Sequence, residues 1–259
     1  MAKAPPSPGS SPPALPLTRR AIWCVPLPGH GADSSDICLC DDSHRYVIKP
    51  NTAGNQTASS CEWFCGNLAS GAGVPCFPFS TVRHTDGNEW FGSQYADGEI
   101  KDWWPQVVAG SIKIDDLKDA LSRIYAFDLF IHNVDRHAGN YIVKAEGGTH
   151  RIFALDHGRS WMFGGFPPKP PPMGACATIA ARDWMKVHFG KYQQTTAMLS
   201  TLEAIGNITV TEIEKIVNDQ PIIWLDKSKR EDIIAFWRDG EATKRLETIV
   251  NGIGDGSLL

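Results

Sequence analysis

The stretch Asn133-Val134-Asp135-Arg136-His137-Ala138-Gly139-Asn140 decides how the rest of the chain is read. It is polar, and it follows a run, Ile124 to Ile131, that is apolar almost all round. Such a run predicts the buried end of a helix, here one that opens at Ile114 and carries Leu117, Leu121, Ile124, Tyr125 and Leu129 at helical spacing. Beyond the loop come two short strand patterns, Tyr141 to Lys144 and Arg151 to Leu155, separated by Glu146-Gly147-Gly148. Asp156-His157-Gly158 follows, so a second acid stands just past an apolar strand, where the glycine is expected to let the chain turn away. Two carboxylates and an amide oxygen, delivered by adjacent loop ends, suit a hard cation such as Mg2+, which takes oxygen ligands and is shared with substrate phosphates.

Working outward, Tyr46-Val47-Ile48-Lys49 puts a lysine at the end of a strand, and Glu62 lies on the next helix. That helix is expected to be capped by Thr57 and to run through Gly66 to about Ser70, with Ala58, Cys61, Cys65 and Leu68 on its apolar face. A lysine facing a cleft needs a partner, and Glu62 is the natural one. A strand lysine, a helix glutamate, an Asp-x4-Asn loop and a strand-end aspartate form the phosphoryl-transfer set of kinases. In that set Lys49 orients nucleotide phosphates, Asp135 orients or deprotonates the attacking hydroxyl, and Asn140 and Asp156 hold Mg2+. Each residue has a plainer reading: a solvated strand-end lysine, a capped surface loop, an Asp-x-Gly turn. His132, His137 and His157 beside the two acids also raise a His/Asp transition-metal site, but their spacing is no strong zinc pattern.

Other strand patterns are Ile22 to Val25, Asp36 to Cys40, Cys76 to Val82 and Glu89 to Tyr95, the last two joined by an Asp86-Gly87-Asn88 turn. The texture changes after Ala96-Asp97-Gly98. The proline run 167 to 172 excludes helix and central strand and reads as a stiff segment, and the chain from about 195 to 250 is helical in pattern. The expected architecture is α/β (α+β) and bilobal: a Pro/Ser-rich disordered tail over 1–18, a small, mostly β lobe with one helix over 19–96, and a larger, mostly helical lobe over 97–259.

With 42% apolar and 21% charged residues in 259, the chain is globular, and its net charge of −4 does not favour nucleic acid or an anionic membrane as partner. No run of about 18 apolar residues predicts a membrane span. The N-terminus has no apolar signal core, so a cytoplasmic protein is expected. The seven cysteines, none in a Cys-x-x-Cys pair, read as reduced, buried thiols, with a zinc site from Cys38, Cys40, Cys61 and Cys65 as the alternative.

The loop and the later Asp156-His157-Gly158 resemble the HipA-like kinases, and the Asp-Arg-His-x-x-Asn loop is similar to that of the phosphoinositide kinases; both belong to the wider protein-kinase-like fold. Phe127-Asp128 to Asn140 is close to the HipA-type pattern, and Ser60-Cys61-Glu62, Leu68 and Gly73-Val74-Pro75 resemble that family's glutamate helix and the turn after it. The resemblance covers about residues 22 to 165. It implies an ATP- and Mg2+-dependent kinase acting on a protein serine or threonine, often a toxin held by an antitoxin or other regulatory partner. It also implies nucleotide contacts from Gly29, Gly31 and Tyr95, a loop-stabilising or phosphate-contacting His137, and Ser34 or Ser35 as candidate autophosphorylation sites. The glycine-rich segment lacks its third glycine. The alternatives are a phosphoinositide or small-molecule kinase, a nucleotide-binding pseudokinase and an AMP transferase. Only Arg159 and Lys169 precede Arg182 after the Asp-x-Gly, which leans against a lipid head group.

Overall fold

The structure is a computed structural model that describes residues 18–27, 35–100 and 102–259. The expected N-terminal tail, apart from Thr18, and Gly29, Gly31 and Ser34 lie outside the described residues. Five strands form a closed barrel in the order β1-β2-β3-β5-β4: β1 (Arg19–Pro26), β2 (Asp36–Cys40), β3 (Arg45–Lys49), β4 (Phe79–Arg83) and β5 (Glu89–Gln94). Neighbours pair antiparallel, except that the start of β1 closes the ring against β4 in parallel, Arg19 opposite Val82 and Arg20 opposite Arg83. The barrel has its own small core of Cys38, Cys40, Tyr46, Ile48 and Val82.

The rest is mostly helical. α1 (Ala58–Gly71) lies between β3 and β4 in sequence, and α2 (Trp103–Val108) and α3 (Ile114–Ile131) lead to the polar loop. The hairpin β6 (Tyr141–Glu146) and β7 (Thr149–Ala154) follows, then α4 (Ala177–Phe189), α5 (Thr195–Gly206), α6 (Val210–Asp219), α7 (Lys227–Arg238) and α8 (Glu241–Gly254). The hairpin turn is Gly147-Gly148, both at positive φ, the conformation that a two-residue turn needs to match strand twist. α3 follows its apolar periodicity closely and opens with Asp115 and Asp116 at the positive end of its dipole.

The main core joins the two regions rather than stopping between them. Phe64, Cys65 and Leu68 of α1 are buried in one cluster with α3, the β6–β7 hairpin, α5 and α8. Trp63 Nε1 donates to Ile216 O at 2.9 Å, and Trp224 Nε1 donates to Glu89 O at 2.7 Å, so the segment from α6 to α7 grips both α1 and the barrel. The proline run is held by a buried cation: Arg245 of α8 donates to the carbonyls of Pro168 and Lys169 and to those of Leu129 and Phe130 at the end of α3. Burial pushes the Arg245 guanidinium down to about 10.

Several expectations are corrected. Cys24 and Cys38 are not reduced thiols: they form a disulfide, with Cα atoms 4.1 Å apart, because they oppose each other directly in the β1–β2 register. Cys61 and Cys65 do not converge with Cys38 and Cys40, since both thiols turn to Ser160. Thr57 occupies the cap position of α1 without a side-chain cap; Asn51 Oδ1 instead accepts from Ser59 N at 3.0 Å. The strand expected from Cys76 begins at Phe79, and Cys76 makes a lone parallel bridge to Ala154. α2 and α4 lie outside the expected elements; α2 is one short turn-and-a-half, and α4 begins at Ala177, shortly after the proline run.

Candidate active site

Lys49 ends β3, and Glu62 points to it from α1. Lys49 Nζ lies 2.5 Å from Glu62 Oε1 and 3.0 Å from Asp156 Oδ1. The lysine and glutamate side chains are buried, whereas Asp156 is 27% exposed and forms the open edge of the trio. Burial opposes the charge on Lys49, but Asp156 and Glu62 outweigh it and hold the ammonium well above its usual range. Burial likewise opposes the charge on Glu62, and Lys49 and His157 outweigh it, so this carboxyl stays far below the usual carboxylate range.

Glu62 does more than hold the lysine. Its Oε1 also accepts from the backbone N–H groups of His157 at 3.0 Å and Gly158 at 3.1 Å. Asn55, buried in the connection before α1, donates from Nδ2 to Gly158 O at 2.8 Å. The barrel region therefore clamps the Asp156-His157-Gly158 backbone. The turn there is made by Asp156 itself, at φ 59°, and not by the glycine, whose φ is not in the left-handed region. A left-handed non-glycine residue costs about 1–3 kcal/mol, which the clamp must offset, and such residues concentrate at functional sites.

The polar loop is held from below by Arg136, which is 1% exposed. Its Nε and Nη2 fork onto Asp128 of α3 at 2.9 and 3.0 Å, and its Nη1 donates to the carbonyls of Asn140 and Leu155. One guanidinium thus ties the helix end, the loop and the end of β7, and presents Asp135 and Asp156 on neighbouring segments. Asp135 is half-buried, with its Oδ2 3.4 Å from Arg159 Nη1. Asn140 Nδ2 donates to Asp135 O at 2.7 Å, so its amide oxygen is the end left for a cation. Asn140 and Asp156 together offer hard oxygen donors and fit Mg2+ rather than a thiophilic metal.

The other anticipated residues are placed less centrally. His137 is exposed, and its Nδ1 accepts from Gly139 N at 3.1 Å, capping the short 3-10 turn 138–140. Tyr95 packs under the Arg45 guanidinium, 4.5 Å from its ring centre. Ser35 stands at the base of β2, where its backbone N donates to Ile48 O. His132 turns toward Arg245 and Lys169, and burial with those cations pushes its imidazole down. His157 is buried edge-on to Phe127. Among the described residues these histidines and acids form no metal-ligating group. Sequence reasoning missed the structural roles of Asn55, Arg136 and Arg159. Arg136 carried a signal, since an arginine next to a buried helix end with Asp128 one loop away implies a pair. Asn55 carried none.

A sequence model of the HipA-like kinases matches residues 29–162, a span that takes in Lys49, Glu62, the whole polar loop and Asp156. No curated protein matches the chain. The fold is similar to the crystal structure of a Helicobacter pylori proinflammatory kinase, CtkA, with a TM-score of 0.57 at 12% identity over 92% of this chain and 99% of that one. That likeness identifies a mixed α/β, kinase-like fold. An aminoglycoside phosphotransferase from Alicyclobacillus acidocaldarius is more distant, with a TM-score of 0.30 at 13% identity over 98% of both chains.

Proposed function

The chain belongs to the HipA-like kinase family, and from that premise we propose that it transfers the γ-phosphoryl group of ATP, with Mg2+, to a serine or threonine hydroxyl of a protein. The observation that carries this reading is Lys49 held between buried Glu62 and half-open Asp156. A charged ammonium fixed at the edge of a cleft is placed to bind nucleotide phosphates without reorganising. Asp135 accepts the acceptor hydroxyl's hydrogen bond and aligns its oxygen. Arg159, beside it, is a second cation at the same opening. Asn140 and Asp156 would hold Mg2+, which when bound neutralises phosphate charge. The β-barrel with α1 and the helical remainder act as the two lobes, with nucleotide between them. Beside the trio, Phe77, Phe79, Phe91 and Leu155 line a small apolar cavity of about 20 Å³.

A toxin role and an antitoxin partner belong to the same proposal and rest on the family alone. A cytoplasmic setting is part of the same proposal; among the described residues no helix is long and apolar enough to cross a membrane. A reducing setting would open the Cys24–Cys38 disulfide of this structure to two thiols.

The test is intact-protein mass spectrometry of the enzyme and of a panel of candidate protein substrates after incubation with Mg2+ and ATP, beside Asp135→Asn and Asp156→Asn. The expected result is a gain of one or more phosphoryl masses that both substitutions abolish. A gain of an AMP mass makes the protein a nucleotidyl transferase. Nucleotide binding without transfer to any protein, with transfer to lipid vesicles or small alcohols measured in parallel, overturns the protein-kinase reading.

A further inference from the structure

The mouth of the barrel carries a second group of chemically active side chains, none of which the phosphotransfer reading uses. Cys24 and Cys38 face each other across β1 and β2. The sulfur atoms of both and a ring nitrogen of His84, just past β4, all lie within 4.8 Å of one another. Asp36 stands two residues before Cys38 on the same face of β2, and its Oδ2 is 3.2 Å from His84 Nε2. On the other side of the ring, His84 Nδ1 is 3.2 Å from Asp86 Oδ1. His84 Nε2 is buried and, although within ion-pair reach of Asp36, makes no aligned hydrogen bond. Cys38 is fully buried, while Asp36 and His84 remain partly open to solvent, so the cluster has an inner wall and an entrance.

We propose that this cluster is a Zn2+ site when its thiols are reduced, with Cys24 Sγ, Cys38 Sγ and His84 Nε2 as ligands and the Asp36 carboxylate, which reaches His84 but lies outside their mutual 4.8 Å group, moving in as the fourth, and that the disulfide is the metal-free, oxidised form of the same site. Two thiolates, an imidazole and a carboxylate make a tetrahedral zinc set. Thiolate ligands select Zn2+ over the hard cation that Asn140 and Asp156 suit, so the two sites would not compete. His84 Nδ1 accepts from Asp86 N at 3.3 Å in the metal-free form; metal binding at Nε2 would move the ring proton to Nδ1, where Asp86 Oδ1, 3.2 Å away, is the carboxylate placed to accept it. The steps balance. A dithiol reductant gives two electrons to the Cys24–Cys38 bond, yielding two thiols and its own cyclic disulfide. Zn2+ then displaces one proton from each thiol to solvent. A small-molecule disulfide reverses the cycle, taking two electrons, releasing the ion and leaving as two thiols.

The experiment uses the full chain, reduced with a dithiol, desalted without oxygen and titrated with Co2+ as the spectroscopic probe. The expected result is tetrahedral d–d absorption with a thiolate-to-cobalt charge-transfer band, saturating at about one ion per chain and bleached by Zn2+. His84→Ala and Cys24→Ser should abolish the band, Asp86→Asn should weaken binding about 10- to 100-fold, and Cys65→Ser should change nothing. Circular dichroism checks that each variant is folded. A variant-free arm maps cysteines protected from alkylation in reduced wild type with and without Zn2+; protection should fall on Cys24 and Cys38. Reduced wild type with no charge-transfer band, a band that survives His84→Ala, or protection elsewhere overturns the proposal. The readout does not depend on kinase activity.

Discussion

Two buried ion pairs of this protein look alike in composition and differ in use. Arg136 meets Asp128 at the end of α3, and Lys49 meets Glu62 and Asp156 at the end of β3. In the first, a planar fork takes both carboxylate oxygens, two backbone carbonyls take the remaining donor, and neither side chain reaches solvent. Nothing is left over for a ligand, so the pair is a rivet. In the second, a single ammonium is shared by two carboxylates, and one of those carboxylates opens outward. Lysine fits there because its point charge can lean from one partner to another, which a bidentate arginine cannot. A buried pair is therefore a poor marker of function by itself. The marker is a buried pair with one partner still facing a cleft.

The sharpest way to separate the two pairs is Lys49→Met. It should lower phosphotransfer at least about 10³-fold while the protein still melts in a single transition, measured by turnover beside calorimetry. Asp128→Ala should do the reverse in kind, costing about 3–5 kcal/mol of stability in urea titration because it strands a buried guanidinium. If Asp128→Ala left stability unchanged, the rivet would be an illusion. Arg245→Met removes the donor shared by the α3 end and the proline run and should cost about 1–3 kcal/mol by the same measurement, through carbonyls left without donors.

The pH dependence of stability sharpens the second pair. Glu62 ionises in the folded protein well below its usual range. Its contribution is thus complete above about pH 4–5, where the unfolded chain's carboxyl is also ionised, and is lost as pH falls toward the folded value. Lys49 runs the other way: raised by Asp156 and Glu62 against the effect of burial, its contribution is complete below about pH 10 and fades only as pH rises beyond that. Acid denaturation of Glu62→Gln should therefore be flatter below about pH 4.5 than that of wild type; identical curves would mean the pair contributes nothing there. The smallest effect is expected for Gly158→Ala. A Cβ there meets Asp156, Glu62 and Asn55 only at 3.5–3.6 Å, so stability should change by less than about 0.5 kcal/mol. A large loss would show that the clamp on this turn has no slack.

Much of the fold was legible because its elements carry strong local signals. α3 has a clean apolar stripe, the β6–β7 hairpin has its paired glycines, and the chain from Thr195 onward shows the helical period that α5 to α8 follow. α4 was hidden because it begins shortly after a proline-rich segment and has few buried positions of its own, Thr178 and Met185. Barrel closure was hidden too, since the pairing of β1 with β4 depends on strands far apart in sequence. The same distance concealed the cysteine chemistry: Cys24 and Cys38 are opposed only once the β1–β2 register is known.

What the sequence determined by itself is the chemical inventory of the site and its local scaffolds: a lysine on a strand end, a glutamate on a helix, and acids on the loops after α3 and β7. These follow from periodicity and turn chemistry, which act over a few residues. Only the tertiary structure decided how they are joined. It made Glu62 bind the backbone of residues 157 and 158 as well as Lys49, moved the turn from Gly158 to a left-handed Asp156, and gave Arg136 and Arg245 their places as internal ties. The physical reason is that a buried charge or backbone donor must find its partner wherever packing brings one, and packing is a property of the whole chain.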